Sequence, residues 1–117
     1  MKTGDFYNPE FETLTRPELE KLQLERHQAT VAHCYAGSEF YHNRLDSIGV
    51  RPSDIKSLDD LRKIPFTTKQ DLRDHYPFGL ASVPLEKCVR LHSSSGTTGN
   101  PTVILHTQKD IDEWATL

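Results

Sequence analysis

A ten-residue stretch near the end of the chain, from Ser93 to Thr102, has the residue types that bind phosphate. Its sequence is SSSGTTGNPT, and its first seven residues comprise five hydroxyl residues and two glycines. Glycines allow a backbone to curl so that successive N–H groups point into one concavity, which forms an anion nest. Ser and Thr hydroxyls add donors for the oxygens of a polyphosphate. Because a plain surface turn needs only one or two such residues, the stretch predicts a phosphate-binding loop.

The spacing of the glycines excludes two common nucleotide-binding motifs. A Walker loop has two glycines separated by four residues and followed by Lys-Ser or Lys-Thr, whereas two residues separate Gly96 from Gly99 and the loop contains no lysine. The dinucleotide fingerprint needs two glycines around a single residue, which this stretch lacks. The flanks, 88–92 and 102–106, are typical of short strands. A loop that joins strand to strand is predicted, and an ordinary Ser/Gly-rich hairpin loop or linker is the plain alternative.

The segment 94–102, SSGTTGNPT, resembles the ATP-phosphate loop of the acyl-adenylate-forming enzymes. That superfamily includes acid–coenzyme A ligases, luciferases and peptide-synthetase adenylation domains. Most members end the motif in Pro-Lys, whereas this chain has Pro101-Thr102, an ending similar to that of the phenylacetate–coenzyme A ligase branch. Three more segments fit the branch, so the resemblance spans nearly the whole chain. They are 7–10, 22–26 and 64–73.

The resemblance implies an AMP-forming aryl acid–coenzyme A ligase that uses ATP, Mg²⁺ and coenzyme A, with phenylacetate as the acid. In such enzymes a carboxylate attacks the α-phosphorus of ATP, pyrophosphate leaves, and coenzyme A then displaces AMP. The loop would hold the β- and γ-phosphates by preorganised donors. Since Thr102 stands where most of the superfamily has lysine, one cationic contact must come from magnesium or from a basic residue elsewhere. The residues assigned to the ATP phosphates are Ser94, Ser95, Gly96, Thr97, Thr98, Gly99 and Thr102.

Lys69 is the candidate catalytic residue. It lies at a predicted helix start, where a cation opposes the helix dipole, so helix propensity does not explain it. The resemblance implies that this lysine faces the acyl-binding side of the active site. The alternative is a solvated surface lysine.

The other residues that could do chemistry are interpreted as structural. Six histidines show no two-His-plus-carboxylate cluster at metal-ligand spacing, so no protein metal site is predicted. His92 and His106 flank the loop and are interpreted as strand-end residues, with an approach to the nucleotide as the alternative. Trp114 is expected in the core.

Helices are expected to position the loop, in an α/β fold that is mainly helical at its start. A capping box at Thr15–Glu18 predicts a helix from Arg16 to Ala36 that stops at Gly37. A second helix is expected from Ser38 to Gly49. Its predicted apolar face is Tyr41, Leu45 and Ile48, and further helix starts are expected at Ser57, Thr68 and Thr107. Residues 1–87 are interpreted as a helical amino-terminal segment, and 88–117 as the first strands, the loop and the start of a helix of a larger adenylate-forming domain.

Length and composition limit the interpretation. The chain has 117 residues, 35% of them hydrophobic, which is lean for a chain that builds its own core. Because ligases of the family are several times longer, we expect an amino-terminal part of a larger enzyme that is inactive alone. The sequence contains no run of about 18 apolar residues, so no membrane span is predicted. A net charge of -3 disfavours nucleic acid as a binding partner. Cys34 and Cys88 lie far apart in the sequence and suit reduced thiols in a cytoplasmic protein.

Two alternatives to a phenylacetate ligase stay open at this point. One is a related ligase for another aryl acid. The other is a non-catalytic, truncated remnant whose helices mediate pairing with another subunit. A homodimer of the enzyme is also left open.

Overall fold

The computed structural model describes residues 4–97 and 99–116. Within them, α-helices and one antiparallel hairpin alternate with short 3-10 turns, which confirms the predicted fold class. The α-helices are α1 (Pro9–Glu12), α2 (Arg16–Gly37), α3 (Glu39–Ser47), α4 (Lys69–Asp74) and α5 (Gln108–Trp114). The strands are β1 (Cys88–Ser93) and β2 (Val103–Thr107), and the 3-10 turns are Pro52–Asp54, Leu58–Lys63 and Leu85–Lys87.

The long helix α2 begins where its capping residues predict. The backbone N–H of Thr15 donates to Glu18 Oε2 at 2.8 Å, and the Thr15 hydroxyl donates to the same oxygen at 2.6 Å. The helix extends one residue beyond its predicted last residue, Ala36, because Gly37 is still helical, and Gly37 does not have positive φ. A Cβ at Gly37 would overlap the carbonyl oxygen of Ser82. Glycine is therefore needed there for a close backbone approach.

Helix α3 ends two residues before its predicted end. Ile48 is the cap residue and Gly49 follows with φ of +71°, the left-handed conformation that favours glycine. Leu45 is 4% exposed and belongs to the core, whereas Ile48 is 49% exposed. The predicted apolar face is therefore wrong at Ile48, which lies past the last helical turn.

The core is small and lies between α2, α3 and the turns that follow. Its buried members are Val31, Leu45 and Ile55. Leu24, Tyr35, Val50 and Ile64 pack against them. Many large apolar side chains remain exposed, including Phe66 at 91%. No helix in the described part of the chain is long and apolar enough to cross a membrane.

The hairpin carries the predicted loop between its strands. Leu91 pairs with Leu105 and Ser93 with Val103, so both strands lie within one residue of their predicted bounds. Helix α5 follows directly. Its capping box is complete, because Thr107 N donates to Asp110 Oδ2 at 2.7 Å and Asp110 N donates to Thr107 Oγ1 at 3.3 Å.

Candidate nucleotide-binding site

The loop between β1 and β2 is closed at its neck by a reciprocal pair of hydrogen bonds. The backbone N–H of Ser94 donates to the carbonyl oxygen of Thr102 at 3.0 Å. In return, the backbone N–H of Thr102 donates to the Ser94 hydroxyl oxygen at 2.9 Å. These bonds continue the strand pairing beyond Ser93 and Val103. The two bonds therefore close the neck of the loop at Ser94 and Thr102.

Two glycines give the loop its curvature. Gly96 has φ of +66° and Gly99 has φ of +127°, conformations that residues with a Cβ rarely adopt. The Gly99 N–H donates to the Gly96 carbonyl oxygen at 3.3 Å, which closes a tight turn. A Cβ on Gly96 would lie 3.1 Å from the Gly99 carbonyl oxygen. The backbone curl predicted from the glycines is therefore present.

The loop contains hydrogen-bond donors that are not used within the described part of the chain. Within residues 4–97 and 99–116, no hydrogen-bond partner is found for the backbone N–H groups of Ser95, Gly96 and Thr97. The side chains of Ser95 and Thr97 are exposed, so their hydroxyls are also accessible. Three successive N–H donors beside hydroxyl groups suit an anion with several oxygens. The predicted contact at Thr98 lies outside the described residues.

Residues 93–102 contain no lysine or arginine. Thr102, which replaces the lysine of most adenylate-forming enzymes, is half-buried at the neck. Among the residues that the structure describes, no group of three or more His, Cys, Asp or Glu could hold a metal ion.

The histidines beside the loop form a cluster with Trp114. The ring centroids of His92 and His106 are 4.8 Å apart, and Trp114 lies 5.5 Å from the first ring and 5.7 Å from the second. These contacts pack α5 against the hairpin, in keeping with the structural interpretation of both histidines. Trp114 is 52% exposed, so its expected place in the core is wrong. The residue type of Trp114 suggests burial but does not identify which residues would cover it.

Lys69 is the first residue of α4. Its side chain is exposed, and no ion pair or hydrogen bond links it to another residue in the described ranges. The helix start is fixed by Thr68, whose N–H and hydroxyl donate to Asp71 Oδ2 at 2.7 and 2.8 Å. Arg44 Nη1 lies 3.1 Å from the same oxygen. The two bonds from Thr68, and then Arg44, lower the pKa of Asp71 to about 2.

A cavity of about 280 Å³ joins the start of α4 to the strand that leaves the loop. Tyr41 and Thr67 line one side, where their hydroxyl oxygens are 3.1 Å apart. Val103–Leu105 of β2 line another side. Lys69 itself is not among the lining residues. The structure thus brings the helix of Lys69 next to β2, but it does not place the ammonium at the loop.

Sequence comparisons find close relatives with one activity. The chain is 52% identical over 106 residues to the phenylacetate–coenzyme A ligase of Escherichia coli (strain K12). It is 55% identical over 106 residues to that of Aromatoleum evansii, and 52% identical over 109 residues to that of Thermus thermophilus. These matches cover 91 to 93% of this chain and 24% of each relative. No family model matches the chain.

Solved structures show the same relationship at the level of the fold. The structure of 2-hydroxyisobutyryl-CoA ligase with 2-HIB-AMP and CoA, in the thioesterification state, matches with a TM-score of 0.81 and 32% identity. The match covers 94% of this chain and 25% of that one. An open conformation of the same ligase matches with a TM-score of 0.79 and 30% identity. The sequence matches therefore confirm the resemblance to the phenylacetate–coenzyme A ligases, and the fold matches that of a CoA ligase, in a chain that spans about a quarter of the length of these relatives.

Proposed function

We propose that this chain is the part of an AMP-forming aryl acid–coenzyme A ligase that holds the phosphates of ATP. The observation that carries the proposal is the loop on the hairpin. It has a closed neck, two left-handed glycines and N–H groups without a partner among the described residues. The relatives at 49 to 55% identity support it independently. In this proposal residues 88–117 begin the adenylate-forming domain, and 1–87 form the helical segment in front of it.

The loop acts by holding its donors in place before ATP arrives. When bound, ATP supplies the adenylyl group that activates the carboxylate of the acid, and pyrophosphate is released. The N–H groups of Ser95, Gly96 and Thr97 would donate to β- and γ-phosphate oxygens, together with the hydroxyls of Ser95, Thr97 and Thr98. Because the hairpin fixes these donors, little reorganisation is needed as charge moves to the leaving pyrophosphate. Glycine at 96 and 99 keeps side chains out of the approach path.

Lys69 would act on the acid rather than on ATP. As an exposed ammonium without a partner among the described residues, it is free to pair with a carboxylate or its adenylate. The neighbouring cavity between α4 and β2 places its helix next to the strand that follows the loop. This arrangement supports separate tasks for the loop and the lysine.

Phenylacetate is the proposed acid, because all four curated relatives that match are named phenylacetate–coenzyme A ligases. The solved ligase named for 2-hydroxyisobutyryl-CoA is less similar, at 30 to 32% identity. A ligase for another aryl acid is the second candidate. The cytoplasm is the proposed location, since ATP and coenzyme A are the co-substrates and both Cys34 and Cys88 are free thiols.

A chimera tests the proposal. In it, this chain replaces the matching 109 residues of the Thermus thermophilus ligase, which has 52% identity. We expect phenylacetate-dependent release of pyrophosphate at a kcat/KM within about tenfold of that ligase, because the phosphate contacts are retained. Assays with benzoate or 2-hydroxyisobutyrate in place of phenylacetate test which acid the chimera uses. The 117-residue chain alone is the control and should release no pyrophosphate. A chimera that melts cooperatively but forms no phenylacetyl-CoA would contradict the proposal.

A further inference from the structure

We propose that Arg44 of α3 is a positioning residue, which through Asp71 fixes the direction in which α4 presents Lys69 to the aryl acid. This inference rests on the proposed ligase function and extends it to a residue outside the active-site segments. It follows from how α4 is held.

Helix α4 cannot set its own orientation. It has six residues, and isolated helices shorter than about 12 residues are marginal in water. Its capping box with Thr68 fixes the local backbone but not the tilt of the helix relative to the rest of the molecule. The direction of Lys69, at the first helical position, must therefore come from contacts with other elements.

Asp71 links the capping box to α3. Its Oδ2 atom accepts both bonds from Thr68 and also lies 3.1 Å from Arg44 Nη1. The side chains of Arg44 and Asp71 are 28% and 20% exposed. Nη1 itself is buried and meets the hydrogen-bond geometry with no atom of the described residues, so its contact with Asp71 is an ion pair. The Arg62–Asp59 pair, by contrast, is 79% and 88% exposed and so is screened by water. A shielded ion pair is screened less by salt and water, so its charges attract more strongly than those of an exposed pair.

Neighbouring residues of α3 contact α4 on both sides of this ion pair. The Tyr41 hydroxyl lies 3.1 Å from that of Thr67, just before the helix. The Phe40 ring lies 4.8 Å from the ring of His75, just after the helix, and 5.1 Å from the Arg44 guanidinium. One face of α3 thus supports both ends of α4, with Arg44 between them.

Loss of Arg44 should slow the reaction of the aryl acid and leave the binding of ATP unchanged. The Thr68 bonds to Asp71 remain, so α4 still begins at the same residue, but its tilt is no longer held. A small displacement of a charged group can slow a reaction strongly, because the reacting geometry is precise. The phosphate loop is held by its own hydrogen bonds at Ser94 and Thr102, so its contacts should not change.

The test uses Arg44→Met, Arg44→Lys and the control Arg62→Met in the active chimera. We expect Arg44→Met to lower kcat/KM for phenylacetate by about tenfold, with KM for ATP within about twofold. Arg44→Lys should recover part of the loss, since the charge stays but the planar fork is gone. Arg62→Met should behave as the parent chimera.

A double variant separates positioning from a general structural role. In a Lys69→Ala background, Arg44→Met should cause little further loss, because the two changes act on one interaction. Equal losses for phenylacetate, ATP and coenzyme A, or additive losses in the double variant, would overturn the positioning role. If Arg44→Met fails to fold, the same comparison is made with Arg44→Lys. A parent chimera without activity contradicts the ligase function itself, and the positioning role falls with it.

Discussion

The Ser94 hydroxyl accepts a hydrogen bond from the Thr102 N–H at 2.9 Å, so one side chain ties together the two ends of the loop between β1 and β2. Thr102 is also the residue that stands where most adenylate-forming enzymes have lysine. Its backbone contributes to the neck whichever side chain it carries. The loop is thus closed by a serine at its first position and not by a cation at its last.

Ser94→Ala should loosen this neck. It removes the acceptor of one hydrogen bond, and the net loss for such a bond is about 0.5–1.5 kcal/mol. In the chimera we expect KM for ATP to rise by up to about tenfold while KM for phenylacetate stays near the parent value. Steady-state kinetics with each substrate varied in turn gives both constants. Ser93→Ala is the matched control, because the Ser93 hydroxyl donates to the Ser94 carbonyl and not across the neck.

Gly96→Val should damage the loop more than any hydroxyl change. A left-handed backbone costs a residue with a Cβ about 1–2 kcal/mol, and here the Cβ would also press on the Gly99 carbonyl oxygen. We expect kcat/KM for ATP to fall at least about tenfold without loss of the fold. Gly4→Val is the control, because nothing lies within 4 Å of a Cβ at that position. Normal adenylation by a folded Gly96→Val chimera would show that the loop is misassigned.

The sequence predicted the parts of the site whose interactions are local. The capping boxes at Thr68 and Thr107 span four residues each, so their hydrogen bonds can be inferred from residue types alone. Glycine spacing likewise predicted a curled loop at Gly96 and Gly99, and φ values confirm the curl. The assignment of individual loop residues and of Lys69 to ATP and the acid stays a prediction.

Contacts between elements could not be inferred in the same way. Nothing local to Arg44 indicates Asp71 as its partner, and nothing near Gly37 indicates the Ser82 backbone, because both pairs are distant in the sequence. The first pair joins α3 to α4, and the second joins α2 to the segment after α4. Trp114 shows the same limit from the other side. Its residue type predicts burial, but two histidine rings cover it only in part.

Lys69→Ala should change the kinetic constants for the acid but not those for ATP. If the ammonium pairs with the acyl carboxylate, its loss raises KM for phenylacetate or slows the acyl steps, and KM for ATP stays near the parent value. Lys69→Arg should restore only part of the activity, since a planar fork cannot take the position of an ammonium. Lys21→Ala is the control, because Lys21 is an exposed lysine of α2 that lies 4.0 Å from Glu25. Unchanged kcat and KM values for all three substrates would mean that Lys69 is a solvated surface residue without a role in the reaction.

Acid should destabilise the helical segment through Asp71. Hydrogen bonds from Thr68 and the Arg44 charge lower its pKa in the folded chain to about 2, against about 3.9 when unfolded. Because the unfolded chain binds a proton more readily, this contribution is complete above pH about 4 and is lost as the pH falls towards about 2. Circular dichroism melts of the 117-residue chain from about pH 6 to about pH 2 measure it. Asp71→Asn should make the pH dependence of Tm shallower, and the remaining slope is expected from Asp60, Glu18 and Asp110, whose pKa values are also lowered. Asp5→Asn is the control; equal curves for both variants would contradict the role of Asp71.

Gly37→Ala should destabilise the chain although alanine is the better helix former. In an exposed helix this change would be stabilising, because glycine has the higher entropy in the unfolded state. At Gly37, however, the added methyl group would overlap the carbonyl oxygen of Ser82. The Ser82 residue is also held in place by its hydroxyl oxygen, which lies 3.0 Å from His33 Nε2. Overpacking of this kind costs about 1–3 kcal/mol. Urea unfolding of the 117-residue chain measures the loss, and Ser82→Gly, which keeps the carbonyl but lacks the hydroxyl, separates the backbone clash from the hydrogen bond. A Gly37→Ala chain as stable as the parent would mean that α2 and the Ser82 segment do not approach as closely as the structure shows.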